Sequence, residues 1–173
     1  MSNYKALLNK VNTFIFDYDG VMTDGKLMLQ HNGQPLRTAN VKDGYALQLA
    51  VKLGYKVVII SGGISKSVEN RFETLKIKDV FLGVSNKNEV FQKFVEDNNL
   101  KPENIVYMGD DIPDYKVMKQ VGVPVCPSDA VVEIKDISIY ISDKTGGHGC
   151  VRDIIEQVLK VQGKWMTDEG FMW

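Results

Sequence analysis

The sequence predicts an α/β protein, a Rossmann-like parallel sheet with helices on both faces. Three observations carry this. Short apolar, β-prone runs alternate along the chain with stretches whose apolar residues recur at helical spacing. One acidic cluster, Asp17 and Asp19, directly follows such a run, and a second, Asp110, Asp111 and Asp114, directly follows another. An open parallel sheet brings the C-terminal ends of its strands to one crevice, where such clusters would meet.

The first strand is expected over 11–17, where Val11-Asn12-Thr13-Phe14-Ile15-Phe16 runs into Asp17. The segment after it differs from the rest. Leu27-Met28-Leu29 and Leu36-Arg37-Thr38 flank Asn32-Gly33, a strong short hairpin signal, and Pro35 suits an edge strand. A β-hairpin flap is therefore expected at about 24–40. A second strand is expected over 56–61, ending in Ser61-Gly62-Gly63, and Ile64, Val68, Phe72 and Leu75 then mark a helix. A third strand is expected over 80–82. Asn86 and Glu89 have capping-box spacing ahead of a helix striped by Val90, Phe91, Phe94 and Val95. Strands at 105–108, 123–126 and 137–141 follow, and Val151, Ile154, Ile155, Val158 and Leu159 mark the last helix.

No gap between these elements has room for a separate cap domain. The expected organisation is one domain over 1–162 and a tail over 163–173. The tail holds both tryptophans, Trp165 and Trp173, with Phe171 and Met172. It is too apolar for an idle end. Either it folds on its own subunit, or it crosses to a neighbour's active site with Gly163 as hinge and Phe171 or Trp173 as plug.

Composition narrows the classes. A chain of 173 residues, 44% hydrophobic and 25% charged, suits one soluble domain with a substantial core. A net charge of -1 offers no basic footprint for nucleic acid and no polybasic membrane patch. Cys126 and Cys150 read as small buried hydrophobes, not as a disulfide framework. The first residues do not read as a signal peptide and no run is long enough for a membrane span, so a cytoplasmic location is expected.

The chemistry lies in the acidic clusters. Residues i and i+2 of a strand share a face, so Asp17 and Asp19 are presented together. Like charges at close range raise each other's pKa, and a hard cation with oxygen ligands relieves this, most simply Mg2+. One carboxylate can then act as nucleophile and its neighbour as general acid and base. By itself an Asp-x-Asp pair is also a common turn. Likewise, three acids after a strand can be a helix N-terminal charge cluster. Gly62 and Gly63 leave backbone N–H groups open near a helix start, an anion site.

The full order, Asp17-Tyr18-Asp19-Gly20-Val21, then Ser61, then Lys87, then Gly109-Asp110-Asp111-Ile112-Pro113-Asp114, resembles the haloacid dehalogenase superfamily of phosphohydrolases. The resemblance implies Asp17 as nucleophile, forming an aspartyl phosphate, and Asp19 as general acid and base. It implies Mg2+ held by Asp17, Asp110 and the Asp19 backbone carbonyl, with Asp111 and Asp114 in the outer shell or orienting Lys87. Ser61 would donate to a phosphoryl oxygen, and Lys87 would neutralise Asp17 and the phosphate.

Asp-Gly-Val-Met-Thr-Asp-Gly at 19–25, the short flap, and Thr145-Gly146-Gly147-His148-Gly149-Cys150-Val151-Arg152-Asp153 look like one capless branch, the 3-deoxy-D-manno-octulosonate 8-phosphate phosphatases. That branch implies a phosphorylated keto-sugar acid as substrate, a homotetramer whose flaps reach neighbouring sites, and a place in lipopolysaccharide precursor synthesis. Arg71 resembles its substrate-binding helix arginine, and His148 is a second substrate-binding candidate. Tyr18, Gly63 and His148 depart from the commonest pattern and keep a nine-carbon keto-sugar acid 9-phosphate open as the alternative substrate. A non-catalytic regulatory domain of the same fold would be expected to lack Asp17, Asp19 or Lys87.

Overall fold

The computed structural model describes residues 4–31 and 33–172. Six strands form one sheet of parallel neighbours: β1 (Thr13–Phe16), β2 (Lys56–Ile60), β3 (Asp79–Phe81), β4 (Ile105–Met108), β5 (Val123–Cys126) and β6 (Tyr140–Ile141), in the order β3-β2-β1-β4-β5-β6. The helices are α1 (Tyr4–Leu8), α2 (Val41–Lys52), α3 (Lys66–Thr74), α4 (Lys87–Asp97), α5 (Tyr115–Met118), α6 (Val132–Ile137) and α7 (Cys150–Val161).

Strand alternation sorts the core into two layers. Phe14, Phe16, Val57, Ile59, Val106 and Met108 face α2, α3 and α7, whereas Ile15, Val58, Ile60, Ile105 and Tyr107 face α4, α5 and α6. This division follows from the strand order. The chain moves from β1 outward to β3, then returns past β1 to β4 and on to β6. Right-handed crossovers in opposite directions put their helices on opposite faces. The reversal leaves a crevice beyond the C-terminal ends of β1 and β4, the ends that carry the two acidic clusters.

Helix starts follow local chemistry. The Asn40 side chain accepts from the Lys42 N–H to cap α2. Asn86 caps α4 by accepting from the Glu89 N–H, and its amide donates to the Glu89 carboxylate at 2.6 Å. The box closes on the asparagine side chain rather than on its backbone N–H.

The differences from expectation are local. Ile137 ends α6 instead of starting a strand, so β6 keeps only Tyr140 and Ile141. Ile64 stands exposed ahead of α3, because the helix begins at Lys66. The expected flap ribbon shrinks to one antiparallel bridge, Met28 with Leu36. Gly33 N–H closes a turn onto the Gln30 carbonyl at 3.0 Å, and Asn32 lies outside the described residues. No layer formed by the described residues covers the flap, so Met28 and Leu29 are exposed, Leu29 at 83%. Without a buried face, a two-stranded ribbon has little to hold it.

The tail lies on its own subunit. The Arg152 guanidinium sits over the Trp165 ring, 5.4 Å from its centroid. Tyr45 Oη donates to the Gly170 carbonyl and Lys52 Nζ to the Met172 carbonyl. Phe171 and Met172 remain 66% and 69% exposed, and Trp173 lies outside the described residues.

Candidate active site

Asp17 continues the β1 ladder by donating its N–H to the Met108 carbonyl at 3.0 Å, so its side chain is fixed by the sheet. The chain then turns back on itself. The Tyr18 carbonyl accepts from the N–H groups of Val21, Met22 and Thr23, and the buried Thr23 hydroxyl accepts from Gly20 and Gly25. Gly20 adopts φ +90, and a Cβ there would stand 2.1 Å from Asp110 Oδ2. Only glycine meets both demands. Gly20→Ala is therefore expected to push Asp110 away and weaken divalent-cation binding at least tenfold or so, read by calorimetric Mg2+ titration. Wild-type affinity in that variant would contradict the assigned packing.

The second cluster is shaped by Gly109. A Cβ there would lie 2.4 Å from Asp114 Cγ, so its absence lets Asp114 fold back beneath the loop. Asp114 is fully buried. Its Oδ1 receives Lys87 Nζ at 2.7 Å and Tyr107 Oη at 2.6 Å, and its Oδ2 receives the Asp110 N–H at 3.2 Å. Lys87 Nζ also reaches Asp17 Oδ1 at 2.8 Å. Asp114 thus holds Lys87 against Asp17. Asp111 instead caps the turn at Ile112–Asp114 by accepting from the Ile112 N–H, and does not pair with Lys87.

Oxygens of Asp17, Asp110 and Asp114 lie within 4.8 Å of one another. Asp114 is already satisfied by three donors, whereas Asp110 Oδ1 is buried with no partner among the described residues. Burial, then the charge of Asp114, pushes Asp17 up to about 6, against the pull of Lys87. Burial, then the charges of Asp17 and Asp114, pushes Asp110 up to about 8. For Lys87, burial works against the charged form, but Asp114 and Asp17 outweigh it and the net shift is upward. Three carboxylates share one ammonium. Hard oxygen donors, excess negative charge and an orphaned carboxylate oxygen fit a divalent cation, which would reverse these upward shifts.

These groups open on a cleft of about 510 Å³ that also takes in Asp19, Ser61, Gly62, Gly63, Asn86, Asp111 and Lys116. Ser61 is buried, and its Oγ accepts from the Gly63 N–H at 3.2 Å, so its own proton remains to be donated. The Asp19 carboxylate is gripped by Arg37, with Nε to Oδ1 at 2.6 Å and Nη2 to Oδ2 at 3.0 Å. Asp19 lines the cleft, but its carboxylate is not part of the close group formed by Asp17, Asp110 and Asp114.

The cleft brings together Asp17, Asp19, Ser61, Gly62, Gly63, Lys87, Asp110, Asp111 and Asp114. It does not bring in Arg71 or His148, the two substrate-binding candidates. Arg71 packs across α2, where a Cβ on Gly44 would meet its Nη2 at 2.3 Å. His148 Nδ1 lies 2.7 Å from the Gly146 carbonyl and 3.1 Å from Thr145 Oγ1, bonding its own loop. That loop braces the Asp17 turn from behind. Gly147 N–H donates to the Val21 carbonyl, and a Cβ on Gly146 would stand 2.0 Å from the Gly20 carbonyl oxygen. Two participants escaped the sequence reading. Tyr107 carries a buried hydroxyl on β4, immediately before a motif that draws attention to its acids. Arg37 lies in the second arm of the expected flap, with no spacing that ties it to Asp19.

Comparison with known proteins agrees with this geometry. Residues 39–127 match the haloacid dehalogenase-like hydrolase family. The chain is 37% identical over 165 residues to 3-deoxy-D-manno-octulosonate 8-phosphate phosphatase KdsC of Escherichia coli K12, covering 95% of this chain and 88% of that one. The crystal structure of the Yersinia pestis phosphatase of that name superposes with a TM-score of 0.91 at 32% identity, covering 94% of this chain and 88% of that one. The Moraxella catarrhalis phosphatase, solved with magnesium, phosphate and KDO, superposes with a TM-score of 0.91 at 28% identity, covering 95% of each chain. The chain belongs to the haloacid dehalogenase-like hydrolases, in the family of the 3-deoxy-D-manno-octulosonate 8-phosphate phosphatases.

Proposed function

We propose that this protein is a Mg2+-dependent phosphatase that hydrolyses 3-deoxy-D-manno-octulosonate 8-phosphate to the free sugar acid and phosphate. The observation that carries the reading is Asp17, 6% exposed, held by Lys87 at the floor of a cleft beside an orphaned Asp110 oxygen. Family membership supplies the substrate. In this reading Asp17 attacks phosphorus, and Asp19 gives a proton to the leaving alkoxide as the ester P–O bond breaks. Asp19 then takes a proton from the water that cleaves the aspartyl phosphate. Ser61 and the Gly62–Gly63 amides hold phosphoryl oxygens, and Lys87 neutralises charge between Asp17 and the phosphate. Asp17, Asp110 and the Asp19 carbonyl would hold Mg2+, which would supply further charge neutralisation. A non-catalytic role finds no support, because every group the chemistry needs is in one cleft.

The test is phosphate release from a panel of eight- and nine-carbon keto-sugar acid phosphates. The 8-phosphate is expected to have the highest kcat/KM. A preference for the nine-carbon 9-phosphate would move the assignment to that substrate. Excess chelator is expected to abolish turnover and Mg2+ to restore it. Undiminished turnover in chelator would remove the metal from the mechanism.

The rest of the reading concerns context. No helix among the described residues is long and apolar enough to cross a membrane, and we place the enzyme in the cytoplasm, supplying lipopolysaccharide precursor. Leu27, Met28, Leu29 and Leu36 leave an apolar flap surface exposed, which supports a homotetramer with packed flaps. Light scattering that finds only a 19.4 kDa species at micromolar concentration would refute it. Residues 163–173 are read as a separable tail. If it reaches a neighbouring cleft, deleting 164–173 should change KM and kcat together with little loss of stability. If it is a strap on α2, the deletion should lower Tm by several degrees and leave kinetics alone.

A further inference from the structure

We infer that Arg37 is a positioning residue that aims the Asp19 carboxylate for proton transfer, an inference that rests on the phosphatase reading above. The fork is bidentate: Nε and Nη2 of Arg37 meet the two oxygens of Asp19 at 2.6 and 3.0 Å. Two parallel bonds from a planar guanidinium fix both the position and the plane of a carboxylate, which a single lysine contact does not.

The two partners differ in exposure. The Asp19 side chain is 33% exposed and borders the cleft, whereas the Arg37 side chain is 7% exposed and stands behind it. Arg37 lies in a small recess that shares Asp19, Ser61 and Gly63 with the cleft and is completed by Tyr18, Ser65, Val68 and Leu82. Arg37 holds Asp19 without itself lining the cleft. It acts on the reaction through Asp19, not on the phosphate.

Two further features show that the fold is arranged around this pair. A Cβ on Gly63 would stand 2.9 Å from both Arg37 Nη2 and Asp19 Oδ2, so the glycine clears space for the fork. Arg37 Nη1 is buried without a partner among the described residues. An arginine kept for packing or solubility would not be buried with an unpaired donor, since that carries a desolvation cost. The bonds to Asp19 are what hold it there.

The consequence is specific to proton transfer. Asp19 gives its proton to the ester oxygen as that oxygen leaves phosphorus, and later accepts a proton from the attacking water. Both transfers need a carboxylate oxygen within hydrogen-bond reach of a defined point. An unheld aspartate at a partly exposed position has free rotors, and misplacement by about 1 Å can cost about a hundredfold.

The test uses the full-length Mg2+-loaded protein, its best sugar phosphate, and 4-nitrophenyl phosphate. The aryl leaving group departs without a proton, so release of 4-nitrophenolate in the first turnover bypasses Asp19 as acid. Arg37→Met is expected to lower kcat on the sugar phosphate by about ten- to a hundredfold, with KM within about threefold. Its stopped-flow burst rate with 4-nitrophenyl phosphate should stay within about twofold of wild type. Arg37→Lys should recover part of the kcat. Should Arg37→Met melt below the assay temperature, Arg37→Lys carries the test, with an intermediate loss on the sugar phosphate and an unchanged aryl burst. Wild-type kcat in Arg37→Met overturns the inference. So does an equal loss in the aryl burst, which would place Arg37 on the phosphate or in the fold. If the wild-type protein turns over no phosphate ester, the phosphatase reading falls first and this inference falls with it.

Discussion

Asp17→Asn is expected to lose turnover by at least about a thousandfold while keeping its fold, because an amide cannot form the phospho-enzyme. The argument for retained folding comes from the site itself. Asp17 is one of three converging carboxylates, and burial with the Asp114 charge pushes it up to about 6. Keeping its charge at neutral pH therefore costs the folded protein stability, and a neutral isostere removes that repulsion. Lys87 keeps its second partner, Asp114 Oδ1, at 2.7 Å. Thermal melting in chelator should show Tm unchanged or slightly raised, while the Tm gain on adding Mg2+ should shrink, since a charged oxygen proposed for the cation has become a neutral one. Near-normal kcat in this variant would sink the aspartyl-phosphate mechanism.

Lys87→Met should fail in both activity and stability. The ammonium is the one cation within the carboxylate cluster among the described residues, paired at 2.8 Å with Asp17 and 2.7 Å with Asp114. Its removal leaves buried negative charge uncompensated. Breaking a buried pair in this way costs about 3–5 kcal/mol. For a chain of this length, that is a fall in Tm of about 6–20 °C. Part of the loss should return with Mg2+, which opposes the same excess charge. Turnover should fall by about a hundredfold or more, because charge stabilisation is the main work of phosphoryl transfer. Calorimetry with and without Mg2+, alongside phosphate release, checks both halves. A variant that melts within a degree of wild type would show that Asp17 and Asp114 are compensated elsewhere.

The strands and their acidic ends were legible because their signals are local. Phe14-Ile15-Phe16 reads as a doubly buried strand, and all three side chains are fully buried. Valine and isoleucine at 57–60 and the run at 105–108 read the same way, and each becomes a strand within a residue of its expected ends. The α2 helix was less visible. Gly44 sits within it and its apolar face is partly alanine, so its stripe is faint. The flap ribbon was over-read, since Asn-Gly specifies a turn but not the packing that a ribbon needs.

By itself the sequence determined the parallel α/β architecture and the pair of acid-bearing strand ends, because strand periodicity, glycine turns and caps act over a few residues. Through their order it also pointed to Asp17, Asp19, Asp110 and Lys87 as one proposed site, and all four line one cleft. Only the tertiary structure decided how the groups are paired. Arg37 meets Asp19 across 18 positions and Lys87 meets Asp114 across 27, while Gly146 is packed against the Gly20 backbone by the return of the chain. It also decided that Arg71 faces α2 and that His148 serves its own loop. Such contacts depend on the path of the whole chain through two core layers. No local spacing carries that information, because a side chain's direction is set by its own element but its partner is set by every crossover between them.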